Sequence, residues 1–315
     1  MSRTRASAAV FLSLAVAASV ARTPAAEGGA RGDARPSFSG SPVPLDLPGQ
    51  QLPVSRAYTY RMAGKVRALV LWVGRDDVGS AVIKWRGTGE HKAFEILIGT
   101  DPQKAPGQMN KWGFLVEEIH RGESAVVGLI SQENDDRLSD VKADLKKRQD
   151  LRAFDTIRGH VTADEAMARV GTLHAPSELT YQSAGTVLDH VLADTSLPVK
   201  QLSRAGNVRA GFLSALSELM AASIEKKPVQ KVPYIHGDRL YELRQLEITP
   251  LSRYERDGRT FDTVIRGRFE TGQAGVRSGT RFELIYGASG PLAGIPILIS
   301  YQPKWWLQVD LVLQT

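Results

Sequence analysis

Apolar side chains recur at every second position along much of this chain, and only an extended strand sorts a period of two onto one face. Phe94, Ile96 and Ile98 alternate with Glu95 and Leu97, and Tyr58, Tyr60 and Met62 alternate with Thr59 and Arg61. Val66, Ala68, Val70 and Trp72 share one face, and Phe114 and Val116 follow Trp112. Gly64, Gly74, Gly87, Gly89, Gly99, Gly107 and Gly122 interrupt these runs at strand-plus-turn spacing, with Asp76-Asp77 and Asp101-Pro102 where turns are expected. Alternation bounded by Gly, Asp and Pro predicts a half-buried antiparallel sheet over residues 52–131.

The same period returns over Arg239 to Ile248, Phe261 to Glu270, Thr280 to Tyr286, Ile295 to Tyr301 and Trp305 to Leu313. In the last run Trp305, Leu307, Val309, Leu311 and Leu313 are expected on one face, with Trp306, Gln308, Asp310 and Val312 on the other. Arg256-Asp257-Gly258-Arg259 reads as a hairpin turn, because Asp-Gly tolerates positive φ. A shorter strand is expected around Ala153 to Val161, and a helix over Ala184 to Ala193.

One segment breaks the pattern in favour of period 3.6. Val208, Phe212, Ala215, Leu216, Leu219, Met220 and Ser223 form a single stripe, which predicts an amphipathic helix over residues 207–226. Asn207 suits the cap position, Lys226 and Lys227 complement the carbonyl end, and Pro228 stops the helix. A solitary two-sided helix needs a partner surface, and the concave side of a curved sheet supplies one. The predicted fold is therefore mainly β with a helical insert (α+β): a curved antiparallel sheet or open β-barrel packed against an amphipathic helix. Residues 151–315 form its C-terminal β-half, and residues 132–150, densely charged, read as a linker or solvated helix between the halves.

The start of the chain is of another kind. Arg3 and Arg5 precede an uncharged run from Ala8 to Ala21, and Ser19-Val20-Ala21 and Pro24-Ala25-Ala26 offer small residues at the exit. That order predicts a signal peptide over residues 1–26 and a periplasmic or secreted destination. The apolar run is shorter than the roughly 20 residues of a membrane span, and no later segment reaches that length, so no transmembrane span is expected after cleavage. Residues 27–51, rich in Gly, Pro, Ser and Ala, read as a flexible linker.

Composition narrows the chemistry. The chain has no cysteine, hence no disulfide, no thiol nucleophile and no thiolate metal site. Loss of Arg3, Arg5 and Arg22 with the leader turns a net charge of +6 into 37 basic against 34 acidic residues, or +3. That mild excess does not point to nucleic acid. None of the six histidines (His91, His120, His160, His174, His190 and His236) stands at metal spacing from another. Asp189-His190 and His236-Gly237-Asp238 are neighbours whose side chains diverge in regular structure, no Ser occupies a Gly-x-Ser-x-Gly elbow, and Glu117-Glu118 and Asp135-Asp136 read as solvated pairs. No catalytic residue, metal ligand or cofactor is assigned.

Phe282 to Tyr286, Leu292 to Ile297 and Tyr301 to Leu307 give a strand, a small-residue turn, an Ile-Pro step and an aromatic-rich closing strand. In these segments the chain resembles uncharacterised exported bacterial β proteins of domain-of-unknown-function type. A more distant likeness, at the level of fold, is to periplasmic lipoprotein carriers, in which helices cover an open barrel. The resemblance implies an exported curved-sheet domain and brings no catalytic residues with it.

The leading expectation is a non-enzymatic envelope protein that binds an apolar or amphiphilic ligand, such as a lipid, inside the curved sheet. Phe212, Leu216 and Met220 would form its helical wall. Arg266 and Arg268, sharing one strand face, are candidates for an anion clamp, and Trp305 and Trp306, necessarily on opposite faces, for a contact surface. The alternatives are a secreted hydrolase of envelope or cell-wall material using scattered carboxylates, and a scaffold binding another envelope protein. An outer-membrane barrel fits less well, because a helix and a charged segment interrupt the strands.

Overall fold

The computed structural model describes residues 49–68, 71–105, 108–131, 151–176, 179–181, 199–204, 208–276, 279–304 and 307–314. The leader, nearly all of the linker, the charged segment 132–150, the expected helix 184–193, Asn207, Trp305 and Trp306 lie outside these residues.

The first half contributes β1 (Val54–Ala68), β2 (Leu71–Thr88), β3 (His91–Thr100), β4 (Trp112–His120) and β5 (Glu123–Ser131). After them come β6 (Leu151–Val161), β7 (Glu165–Pro176), β8 (Val199–Arg204) and the helix α1 (Phe212–Ile224). The chain closes with β9 (Lys231–His236), β10 (Arg239–Arg256), β11 (Arg259–Gln273), β12 (Thr280–Gly287), β13 (Pro296–Lys304) and β14 (Leu307–Gln314). Among the described residues these fourteen strands form a single sheet in the order β8-β7-β6-β5-β4-β3-β2-β1-β14-β13-β12-β11-β10-β9. Every neighbouring pair is antiparallel, and the two halves are zipped together where β1 meets β14, with Tyr60 opposite Leu313 and Met62 opposite Leu311.

The sheet bends until its distant strands share a partner. Arg209 bridges to Tyr234 on the edge strand β9, its N–H donating to the Pro233 carbonyl (2.8 Å) while its own carbonyl accepts from Ile235 N–H (3.0 Å). The next residue, Ala210, donates its N–H to Ser124 Oγ on β5 (3.0 Å). One short segment thus touches both arms of the curve, and the helix that follows lies inside it.

Inward positions are mostly apolar. Tyr60, Met62, Ile83, Phe94, Ile96, Ile98, Leu115, Leu284, Ile299 and Leu311 are buried, and α1 adds Phe212, Leu213, Leu216, Leu219 and Met220. Phe212 meets Tyr234 and Phe282 edge-on, and Phe282 stacks on Phe269. At about 1.5–3 kcal/mol for each large apolar side chain buried, the five from α1 contribute on the order of 10 kcal/mol. The helix is an integral filling of the curve.

Parts of the convex face are covered too. Trp112 and Phe154 are buried in contact at 4.7 Å, and the Leu179 carbonyl accepts from Trp112 Nε1 (3.0 Å) and Asn110 Nδ2 (2.8 Å). On β14, Asp310 and Val312 are as buried as Val309 and Leu311 on the opposite face, so this strand is covered on both sides. Asp310 accepts hydrogen bonds from Ser300 Oγ (2.7 Å), Gln308 Nε2 (3.0 Å) and Lys65 Nζ (3.2 Å). Burial opposes its ionisation, yet these three bonds prevail and hold its pKa below the usual carboxylate value.

Several local expectations change. The helix begins at Phe212 after an extended Gly211 cap, because Arg209 and Ala210 are engaged in bridging β9 to β5 and cannot also wind. Its end, Ile224, is followed by Glu225 at the cap. Asp76-Asp77 is not a turn between strands: both lie within β2, where the register against β1 shifts between Met62 and Gly64 and Asp77 adopts φ 63°. The Asp257-Gly258 turn is as read, with Arg256 paired to Arg259 and both central residues at positive φ.

Candidate functional site

Between the concave face and α1 lies an apolar cavity of about 50 Å³, partly open to solvent. Ile83, Trp85, Phe94 and Ile96 wall it from β2 and β3, Ile299 and Leu311 from β13 and β14, and Phe212, Leu213, Leu216 and Met220 from the helix. Cross-strand register creates the sheet wall: Ile83 stands opposite Ile96, and Trp85 opposite Phe94, all four pointing inward. Ser217 is the one polar residue of the lining apart from the Trp85 indole N–H. A buried water seeks two to four polar partners, which this lining does not offer. An apolar group suits it better.

The connection between β12 and β13 completes the lining. Gly294 and Pro296 reach the cavity wall, and Gly294 turns there at φ 71°. Tyr60 Oη donates to the Pro296 carbonyl (3.0 Å), and Arg56 donates to the Ala293 carbonyl (3.2 Å), tying the loop to β1. Burial raises the Tyr60 pKa strongly, so its phenol stays neutral and remains a donor.

A second feature lies at the start of the helix. Glu117, expected as a solvated residue, is fully buried on the concave face of β4, between Phe94 and Val126 on the neighbouring strands. Its Oε1 accepts from Leu213 N–H (2.6 Å) and its Oε2 from Ser214 N–H (2.7 Å), so a distant strand supplies the cap that Gly211 cannot. Burial pushes its pKa up to about 7, against the opposing hydrogen bonds from Ser214 and Leu213. The sequence offers no sign of this role, because Glu117 and Glu118 are alike until the pleat turns one inward. Glu118, on the other face, meets His91 Nε2 at 2.6 Å, and the His91 ring stacks on His120 at 4.2 Å. Among the described residues no group of three His, Cys, Asp or Glu is placed to hold a metal ion.

The residues singled out from sequence separate into three places. Phe212, Leu216 and Met220 converge on the cavity. Arg266 and Arg268 lie on the opposite face of β11 from the buried Ile265 and Phe269, and point away from it. Arg268 pairs with Glu247 (3.0 Å), and both arginines approach Glu283 (3.5 and 3.6 Å), so their charges are met by carboxylates within the sheet. Trp305 and Trp306 fall outside the described residues. His236 ends β9 at a two-residue turn with its ring against Tyr241 (4.9 Å), and burial lowers its pKa to about 4; no carboxylate dyad is formed with Asp238, which pairs with Arg239.

No family model matches the chain, and no curated protein matches it. The resemblance of residues 282–307 to exported β proteins of unknown domain type therefore gains no support. Among solved structures it is similar to a protein described as a "putative lipoprotein" from Parabacteroides distasonis ATCC 8503, at 9% identity over 83% of this chain and 95% of that one, with a TM-score of 0.27. A superposition that loose carries no statement about this chain's fold or role. Among the described residues no helix is long and apolar enough to cross a membrane.

Proposed function

We propose that this chain is a non-enzymatic, exported binding protein of the bacterial envelope, which takes the end of an apolar or amphiphilic chain between α1 and the concave sheet. The cavity carries the reading: it is apolar, partly open, and lined from three directions by side chains whose positions the sheet fixes. Its size limits the ligand. About 50 Å³, against roughly 10–15 Å³ for one water on the same measure, admits a few carbons, so a longer chain would leave most of its length outside the cavity. A hydrolase is not favoured, since the buried carboxyl of Glu117 has both oxygens committed to backbone N–H groups.

Trp85 on the cavity wall supplies the assay. Titration of the full-length chain with 12-bromododecanoic acid is expected to quench Trp85 emission on contact with the terminal bromine, and the quenched component is expected to vanish in Trp85→Phe. Ser217→Leu, which fills the cavity from the helix without removing an apolar contact, is expected to abolish quenching while leaving the protein folded. Quenching that survives in both variants, or its absence from the wild type at millimolar probe, overturns the proposal.

A further inference from the structure

The strands that wall the cavity carry cations on both faces, and the two faces treat them differently. On the outer face of β2, Lys84 and Arg86 both pair with Glu95, at 2.6 and 3.1 Å. Two cations on the concave face have no such partner. Arg56 stands directly opposite Trp85 across β1 and β2, and Lys92 lies two residues before Phe94 on β3, so both belong to the face of those two cavity-wall rings. Among the described residues, the charged end of Arg56 makes one bond, to the Ala293 carbonyl (3.2 Å), and that of Lys92 lies 5.8 Å from the centre of the Phe94 ring. Neither meets a carboxylate there. The concave carboxylate opposite Phe94, Glu117, has both oxygens committed to Leu213 and Ser214 N–H. Positive charge is therefore left uncompensated beside an apolar cavity.

We propose that Arg56, assisted by Lys92, is the head-group site of the cavity, and that the ligand is a short acyl carboxylate whose tail lies between α1 and the sheet. This assignment rests on the cavity being the binding site. A guanidinium offers five N–H donors in a planar fork that matches a carboxylate, and Arg56 spends only one group of that fork on Ala293. The residue after Ala293, Gly294, is itself part of the cavity lining, as is Trp85 across the strand pair, so the cation adjoins the cavity on two sides. Head and tail sites that close together suit a short ligand: a cavity of about 50 Å³ takes the tail of an acid on the order of six carbons long. Arg56 is exposed, so the head group remains in water and its pairing is open to screening by salt. A charge-assisted hydrogen bond at such a site is worth about tenfold in affinity, enough to separate an acid from a neutral molecule of the same length.

Two brominated probes of equal length test this on the full-length chain at pH 7, where the acid is ionised: 6-bromohexanoic acid and 6-bromohexan-1-ol, each titrated against Trp85 emission. The acid is expected to bind about tenfold more tightly than the alcohol, and the preference is expected to shrink toward unity at 1 M salt. In Arg56→Gln, whose amide N–H can still reach the Ala293 carbonyl, the acid should lose most of its advantage while the alcohol binds as before. Lys92→Met should lower the affinity for the acid by a smaller factor. Equal binding of acid and alcohol to the wild type overturns the head-group site and leaves the apolar cavity standing. So does quenching by 12-bromododecanoic acid with neither six-carbon probe effective, or an Arg56→Gln variant that weakens both six-carbon probes alike, as a merely structural tie to Ala293 would. Absence of quenching by all three probes overturns the cavity reading and the head-group site together.

Discussion

Replacing Gly211 by Ala tests whether the cap from Glu117 holds the helix in place. Gly211 has φ −152° and ψ −177°, an extended conformation open to any residue, so backbone strain contributes nothing. The methyl group would instead land 2.5 Å from Glu117 Cδ and 3.0 Å from Cγ. If the carboxyl moves aside, two buried N–H groups lose their acceptor, at about 1–3 kcal/mol each. If it stays, the overlap is absorbed as packing strain of about 1–3 kcal/mol. The cheaper response sets the loss, so about 1–3 kcal/mol is expected, a sizeable part of the ~5–15 kcal/mol that stabilises a typical domain. Urea unfolding followed by tryptophan emission measures it. Gly237→Ala serves as the contrast: at φ 59° with no atom within 4 Å of its new Cβ, its cost is confined to the left-handed backbone, about 1–2 kcal/mol. In a Glu117→Ala background the Gly211→Ala penalty should fall below about 1 kcal/mol, because the obstructing carboxyl is gone. A penalty under 1 kcal/mol in the wild type, or one equal in both backgrounds, refutes the reasoning.

Two further outcomes are expected. His236, with its pKa lowered by burial from 6.5 to about 4, contributes stability that is complete above pH 6.5 and lost as pH falls toward 4; His236→Phe should flatten the acid side of a plot of urea midpoint against pH, and an unchanged slope counts against the buried neutral imidazole. Arg266→Ala and Arg268→Ala remove partly or fully exposed ion pairs to Glu283 and Glu247, so each should shift stability by less than about 1 kcal/mol and leave Trp85 quenching unchanged; a loss of probe binding in either would reinstate an anion-binding role for the outer face.

Much of the strand content was legible because side-chain contrast was high. Phe94, Ile96 and Ile98 alternate with a charge and an aliphatic residue, and β3 follows them closely. Where contrast was low, strands were missed: β7 turns Ala166 and Ala168 into the core, and alanine at alternate positions hardly differs from its neighbours in hydropathy. β8 is only six residues long. Asp76-Asp77 looked like a turn because Asp pairs usually are, whereas the chain absorbs them as an irregularity inside β2 and continues. The helical stripe named Phe212, Leu216 and Met220 correctly as one face, yet the helix's first residue depended on Arg209 and Ala210 finding strand partners more than twenty and eighty residues away.

Periodicity by itself determined that the described residues make antiparallel strands and an amphipathic helix, since period two and period 3.6 are properties of local backbone geometry. It also placed Phe212, Ala215, Leu216, Leu219 and Met220 on the buried side of that helix, though not Leu213, Ser214 or Ala222. Only the tertiary structure decided that both halves join in one curved sheet through β1 and β14, that Glu117 turns inward while Glu118 turns out, and that a small apolar space remains beside Trp85. Those outcomes depend on register and curvature, which arise from pairings between residues far apart in the chain and leave no mark on any single stretch of it.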